Sequence, residues 1–116
     1  MRYQDYKNIL FNKNGKVLTA TLNRPDMRNA INDELDIEIL RMLQEVDFDD
    51  EVNVLVLTGA GRSFSAGGDI AAMQASIDDI EIFEKGTTRG KRILMALLDL
   101  DKPIICRMNG DAVGLG

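Results

Sequence analysis

Three rhythms of apolar and polar positions run along this chain. In residues 8–22, NILFNKNGKVLTATL, the rhythm is two: Leu18, Ala20 and Leu22 share one face, and Val17, Thr19 and Thr21 share the other. Asn14-Gly15 interrupts it with a turn signal, so the stretch predicts a β-hairpin. Pro25 bars the second strand from continuing, and NRPDMRNAIN reads as a polar loop. The rhythm then becomes helical. Leu35, Ile39, Met42, Leu43 and Val46 recur on one face, predicting a helix from an Asn32 N-cap to about Phe48, with Asp33 and Glu34 in its first turn. The third pattern is the continuous apolar run Val54 to Leu57, the signature of a strand buried on both faces.

Beyond it, Ile70 to about Ala75 predicts a short helix capped by Asp69. A longer helix is expected over Asp79 to Leu100, with Ile93, Leu94, Leu97 and Leu98 as its buried face and Gly86 and Gly90 weakening its first part. KPIICRMNG reads as another short strand, and DAVGLG turns out of it. Hairpin, helix, strand, helices, strand is an α/β order with right-handed β-α-β crossovers. Strands 53–58 and 103–107 need helices on both faces, and too few are present. The chain therefore reads as one incomplete domain, residues 1–116.

Composition narrows the chemistry. The net charge is −5 and no Lys/Arg cluster exceeds a few residues, which argues against a nucleic-acid partner. No apolar run approaches a membrane span, and the N-terminus lacks a signal-peptide pattern, so a cytoplasmic location is expected. The single cysteine, Cys106, rules out an internal disulfide and reads as a small core residue. Met42, Met73 and Met95 fall in helical patterns and read as core filler. The acidic run 47–51 is poorly placed against a helix C-terminus and is assigned to a turn. The chain has no histidine, which removes Ser-His-Asp, Cys-His and histidine metal sites. Catalysis here has to use backbone dipoles, carboxylates, lysine or tyrosine.

Residues 59–70, GAGRSFSAGGDI, place four glycines at the exit of a buried strand. A dinucleotide loop G-x-G-x-x-G fails because Phe64 stands at its third glycine. A Walker A loop fails for want of any lysine. A nucleophile elbow G-x-S-x-G fails around Ser65, which lacks the first glycine and any histidine to activate it. What remains is a loop that presents its own N–H groups, as an oxyanion hole does. Such a site wants two donors, and the second glycine-rich strand exit, NGDAVGLG, is the natural second source. That segment also reads as the opening of a helix, whose dipole would favour an anion.

LNRPDMRNAIN, VLVLTGAGRSFSAGGDI and KPIICRMNGDAVGLG together resemble the crotonase superfamily, the enoyl-CoA hydratase/isomerase family, in family order and over nearly the whole chain. The resemblance implies a crotonase-like spiral of β-β-α units, here its N-terminal part, truncated at the second oxyanion loop. It implies an acyl-CoA thioester as substrate, with no separate cofactor and no metal, in a homotrimer or dimer of trimers. It assigns the first oxyanion N–H to Gly68 and the second to Leu115, where many hydratases have glycine. By the same resemblance Met27, Arg28, Ala30, Ala66, Gly68, Asp69 and Ile70 line the CoA channel. The catalytic glutamates of hydratases lie beyond Gly116, so hydration, isomerisation and thioester hydrolysis stay open, and residues 1–116 alone are expected to be inactive.

The plainer roles stand beside these. Gly67 and Gly68 also suit a tight turn, Asp69 a helix cap, Arg28 a solvated surface, and Ser63 and Ser65 hydrogen bonds within the loop. Two other functions remain open at this point: a non-catalytic binding or assembly subunit of the same family, and a nucleotide-binding α/β domain with a degenerate loop.

Overall fold

A computed structural model describes residues 3–116. Strands β1 (Ile9–Asn14) and β2 (Val17–Leu22) form the expected hairpin. Asn14 pairs with Val17, so the two turn residues are Gly15 and Lys16. Gly15 is at φ 61, the left-handed conformation a tight hairpin needs at its first turn position. The turn therefore sits one residue later than the Asn-Gly signal suggested.

Helix α1 (Asp33–Asp47) starts at Asn32, whose side chain accepts from the Leu35 N–H. Its apolar stripe, Leu35, Met42, Leu43 and Val46, is buried against Leu18, Ala20 and Leu22 of β2 and Leu55 of β3 (Val54–Gly59). Acidic residues do crowd its C-terminal end, as the sequence indicated. The missing cation arrives from far along the chain: Lys102 Nζ donates to the carbonyls of Val46 (2.6 Å) and Asp49 (2.5 Å), the favourable charge for a helix C-terminus.

After β3 come β4 (Ser63–Ser65), α2 (Ile70–Asp78), α3 (Ile80–Asp99), β5 (Ile104–Cys106) and β6 (Asp111–Ala112). The order is β-β-α repeated: β1-β2-α1, then β3-β4-α2-α3, then β5-β6 as the start of another unit. The main sheet has the order β1-β2-β3-β5, with β2, β3 and β5 parallel. The second strands of the later units, β4 and β6, pair parallel in a small sheet of their own. Each strand exit thus lies next to the corresponding exit of the following unit.

Helix α3 corrects the reading of its apolar face. Ile93, Ala96 and Leu100 pack against the core, whereas Leu94, Leu97 and Leu98 are exposed. Arg89 fixes the helix to α1 through Asp36 (2.9 Å) and Asp33 (2.7 Å). The contact with α1 therefore uses a narrow i, i+3, i+7 seam, and the rest of the stripe has no cover among the described residues. Cys106 is exposed rather than buried, because among the described residues β5 is the last strand of its sheet and pairs only with β3. Met42 is fully buried, but Met73 and Met95 are about half exposed for the same lack of covering layers.

Candidate functional site

The site begins at a left-handed bend. Arg28 and Asn29 both have positive φ, at 52° and 56°, and Asn is one of the few residues that tolerate this. Asn29 is wholly buried. Its Oδ1 accepts from the Arg24 N–H at 2.8 Å, and its Nδ2 donates to the carbonyls of Ala60 and Ser63 at 2.9 Å each. One side chain thereby joins the polar loop after β2 to the glycine loop after β3. Sequence reasoning passed over Asn29 in favour of its neighbours. The available signal was an Asn between a proline turn and a helix cap, where αL residues are common.

The glycine loop is then held in place by backbone bonds. Ala66 N–H donates to Arg28 O at 2.9 Å. Ile31 N–H donates to Gly67 O (2.7 Å), and Asp69 N–H donates to Ile31 O (3.0 Å). This is a parallel bridge with Gly68 opposite Ile31. In such a bridge the flanking residues make both bonds, so the N–H of Gly68 itself points to the other side. It has no partner among the described residues.

On that strand exit lies the second glycine segment. Val113 N–H donates to Ser65 O (3.0 Å), and Gly116 N–H closes a turn onto Val113 O (2.8 Å). The N–H of Leu115, inside this turn, lies outside its hydrogen bond and also lacks a partner among the described residues. Gly67 permits the approach. Its φ is 91°, and a Cβ there would stand 2.5 Å from Val113 O and 3.4 Å from Leu115 N. Any side chain would push the two loops apart.

The Asp69 carboxylate is engaged within the fold. It caps α2 by accepting from Ala72 N–H at 3.0 Å. Its other oxygen lies 3.4 Å from the Arg24 guanidinium, which also donates to the Ala30 carbonyl. Both side chains are largely buried. Of the other residues singled out from sequence, Ala30 is buried, while Met27, Arg28, Ala66 and Ile70 are exposed around the same loop pair. Ser65, expected as a loop hydrogen-bonder, donates to Asn29 O and accepts from Gly67 N–H, whereas Ser63 serves through its carbonyl.

An apolar cavity of about 360 Å³ opens beside Leu115 and Gly116, between α1, α3 and the main sheet. Ile31, Met42, Phe64 and Ile93 line it. A wider depression at the end of α1, around Phe48 and Asp50, shares no residue with either loop. No three His, Cys, Asp or Glu side chains among the described residues could hold a metal ion, and no described helix is long and apolar enough to cross a membrane.

The two loops that carry these backbone donors pack against each other at Gly67, and backbone N–H groups of this kind can hold a carbonyl oxygen. Comparison with known proteins bears on what carries such a site. A family profile described as Enoyl-CoA hydratase/isomerase matches residues 12–116. The short-chain-enoyl-CoA hydratase of Clostridium acetobutylicum is 38% identical over 113 residues, covering 97% of this chain and 42% of that protein. A small ribosomal subunit protein of Schizosaccharomyces pombe is 36% identical over 110 residues, covering 93% of this chain and 26% of its own length. The crystal structure of an enoyl-CoA hydratase/isomerase from Mycobacterium paratuberculosis superposes with a TM-score of 0.90 at 36% identity, over 94% of this chain and 44% of that one. The chain spans less than half the length of these relatives, and its fold is the corresponding part of the crotonase fold. On the profile match and these likenesses, the chain belongs to the enoyl-CoA hydratase/isomerase family.

Proposed function

We propose that this chain contributes the carbonyl-binding half of an enzyme that processes acyl-CoA thioesters. The N–H groups of Gly68 and Leu115 hold the thioester oxygen, and they stabilise the negative charge that develops there as an enolate forms. The single observation behind this reading is the packing at Gly67, where the absence of a Cβ lets the unpaired N–H of Leu115 approach the loop that carries the unpaired N–H of Gly68. Helix α2 starts at Ile70, so the positive end of its dipole lies beside the Gly68 donor. Met27, Arg28, Ala66 and Ile70 lie exposed around the pair and offer a rim for the CoA moiety, with Arg28 as the cation for its phosphates.

The donors fix where charge collects, not which bond is made. Hydration, isomerisation and hydrolysis differ in their acid and base groups, which this reading puts outside residues 1–116. Those residues alone are therefore inactive, and the complete enzyme works as a homotrimer or dimer of trimers in the cytoplasm.

The test replaces Gly68 in the full-length protein that carries this chain. Gly68→Pro removes the N–H and is expected to lower kcat by about 10²–10³. Gly68→Ala keeps the N–H; its Cβ would meet only the flexible end of Met73, at 2.6 Å, and turnover should persist. A folded Gly68→Pro enzyme with full activity would overturn the proposal.

A second reading is a non-catalytic binding or assembly subunit, favoured by the likeness to a ribosomal subunit protein. It expects no turnover of any enoyl-CoA by the full-length protein, with Gly68 replaceable by proline at no loss of assembly.

A further inference from the structure

We infer that Arg24 is a positioning residue for the Gly68 donor. The inference rests on the proposed oxyanion hole and adds to it the group that holds its first N–H in direction. Arg24 lies on neither glycine loop, and its type suggests a surface charge. Its side chain is only 16% exposed, against 7% for Asp69, its partner.

Two segments meet on this guanidinium. It donates to the carbonyl of Ala30 and faces Asp69 Oδ2 at 3.4 Å, and its own backbone N–H is held by Asn29 at 2.8 Å. Asp69 directly follows Gly68, and Ala30 directly precedes Ile31, the residue that bridges to Gly68. Arg24 therefore grips both strands of that bridge, one residue away on each side. The direction of the Gly68 N–H depends on the peptide plane shared by Gly67 and Gly68. Glycine's freedom leaves that plane soft unless its neighbours are fixed. Ile31 fixes it through the backbone, and Arg24 fixes it through the Asp69 carboxylate. A lysine cannot do both, because its compact ammonium lacks the planar fork that reaches a carbonyl and a carboxylate together. Without its arginine the Asp69 carboxylate would stay buried with only the Ala72 N–H to offset its charge, and its other oxygen would turn to seek water, taking the chain at Gly68 with it.

The experiment uses the full-length enzyme with Arg24→Met, Arg24→Lys and the double variant Arg24→Met/Asp69→Asn. In the double variant the amide oxygen of Asn still caps α2 and no buried charge remains, so folding is protected. Two quantities are read: kcat and KM with crotonyl-CoA, and the absorption of bound 4-dimethylaminocinnamoyl-CoA, which moves to the red when its thioester carbonyl is polarised. For both Met variants the expected result is a loss of about 10² in kcat, the effect of a misdirected donor, with KM changed by less than about threefold. Most of the red shift should go with it, and Arg24→Lys should recover part of both. A folded double variant with wild-type kcat and a full red shift would overturn the inference, as would a loss confined to KM or to thermal stability. A wild-type enzyme that binds the cinnamoyl thioester without any red shift would instead overturn the oxyanion reading, and this inference with it.

Discussion

The hydroxyl of Ser65 donates to the main-chain oxygen of Asn29 across 2.8 Å, and both residues are completely buried. The same oxygen atom of Ser65 accepts the Gly67 N–H at 3.2 Å. A small side chain on β4 therefore ties the left-handed bend at Asn29 to the residue just before the proposed donor. Ser65→Ala keeps the volume nearly unchanged but leaves one buried carbonyl and one buried N–H without partners. Each such orphan costs about 1–3 kcal/mol. The urea midpoint of unfolding should fall accordingly, and activity should fall with it. An unchanged midpoint would mean that water replaces the hydroxyl at no loss, and that the relay is unimportant.

Gly67 and Gly114 both have positive φ, at 91° and 57°, yet their surroundings differ. A Cβ on Gly67 would strike Val113 O at 2.5 Å, whereas one on Gly114 would meet nothing within 4 Å. Gly114→Ala therefore bears only the left-handed strain, roughly 1–2 kcal/mol. Gly67→Ala adds a backbone collision that the paired loops can relieve only by separating. The expected ranking is a modest loss of stability with activity retained for Gly114→Ala, and a larger loss with activity abolished for Gly67→Ala. Thermal melts and turnover on the same two samples decide it, and equal behaviour would remove close approach as the reason for Gly67.

The hairpin and three helices were legible because period and caps act locally: Asn32 and Asp69 cap helices where the sequence put them, and Asp79 caps the helix that was expected to begin there. Strands β4 and β6 were not, since three and two residues carry no alternation to detect. Of the stripe read as buried on α3, Ile93 does pack on the core, but Leu94, Leu97 and Leu98 are exposed. Periodicity says which residues share a side, and only the layers present decide whether that side is covered. The two glycine segments were picked from their backbone chemistry and a family likeness. Their adjacency, however, comes from the pairing of β4 with β6, and the roles of Asn29 and Arg24 depend on partners 31 to 45 residues away.

Tyr6 gives a pH prediction of definite sign. Burial disfavours its phenolate, and so does Glu45, which accepts the phenol hydrogen bond at 3.0 Å. Arg41, 4.4 Å above the ring, opposes them but does not prevail. The folded-state value is thus raised well above the ordinary 10.0. A raised folded value means that the native state holds its proton longer than the unfolded chain. Tyr6 therefore contributes its full share of stability below pH 10, and loses it as pH rises from there toward the folded value. Urea unfolding followed upward from pH 9 should show this decline in the wild type and a shallower one in Tyr6→Phe. At neutral pH the variant should lose about 1 kcal/mol, the hydrogen bond alone. Parallel curves for the two proteins would assign the alkaline decline elsewhere.

The uncovered apolar surface has its own consequence. Leu94 and Leu98 on α3 are 63% and 79% exposed, and Ile105 on the last strand of the main sheet is 53% exposed. Among the described residues strand β5 also pairs on one side only, so its other edge offers N–H and C=O groups with no strand partner there. An apolar stripe beside an open parallel edge is a template for association. Covering one leucine contributes about 1.5–3 kcal/mol, so a few together suffice to hold two chains. Residues 1–116 produced alone are therefore expected to self-associate in sedimentation velocity and to bind a hydrophobic dye. Leu94→Lys/Leu98→Lys should shift the chain toward monomer while the far-ultraviolet spectrum stays native, because neither side chain belongs to the seam of Ile93, Ala96 and Leu100 that packs on the core. A wild-type chain that sediments as a monomer and binds no dye would show that this surface needs no cover, and the stripe on α3 would then have no role in assembly.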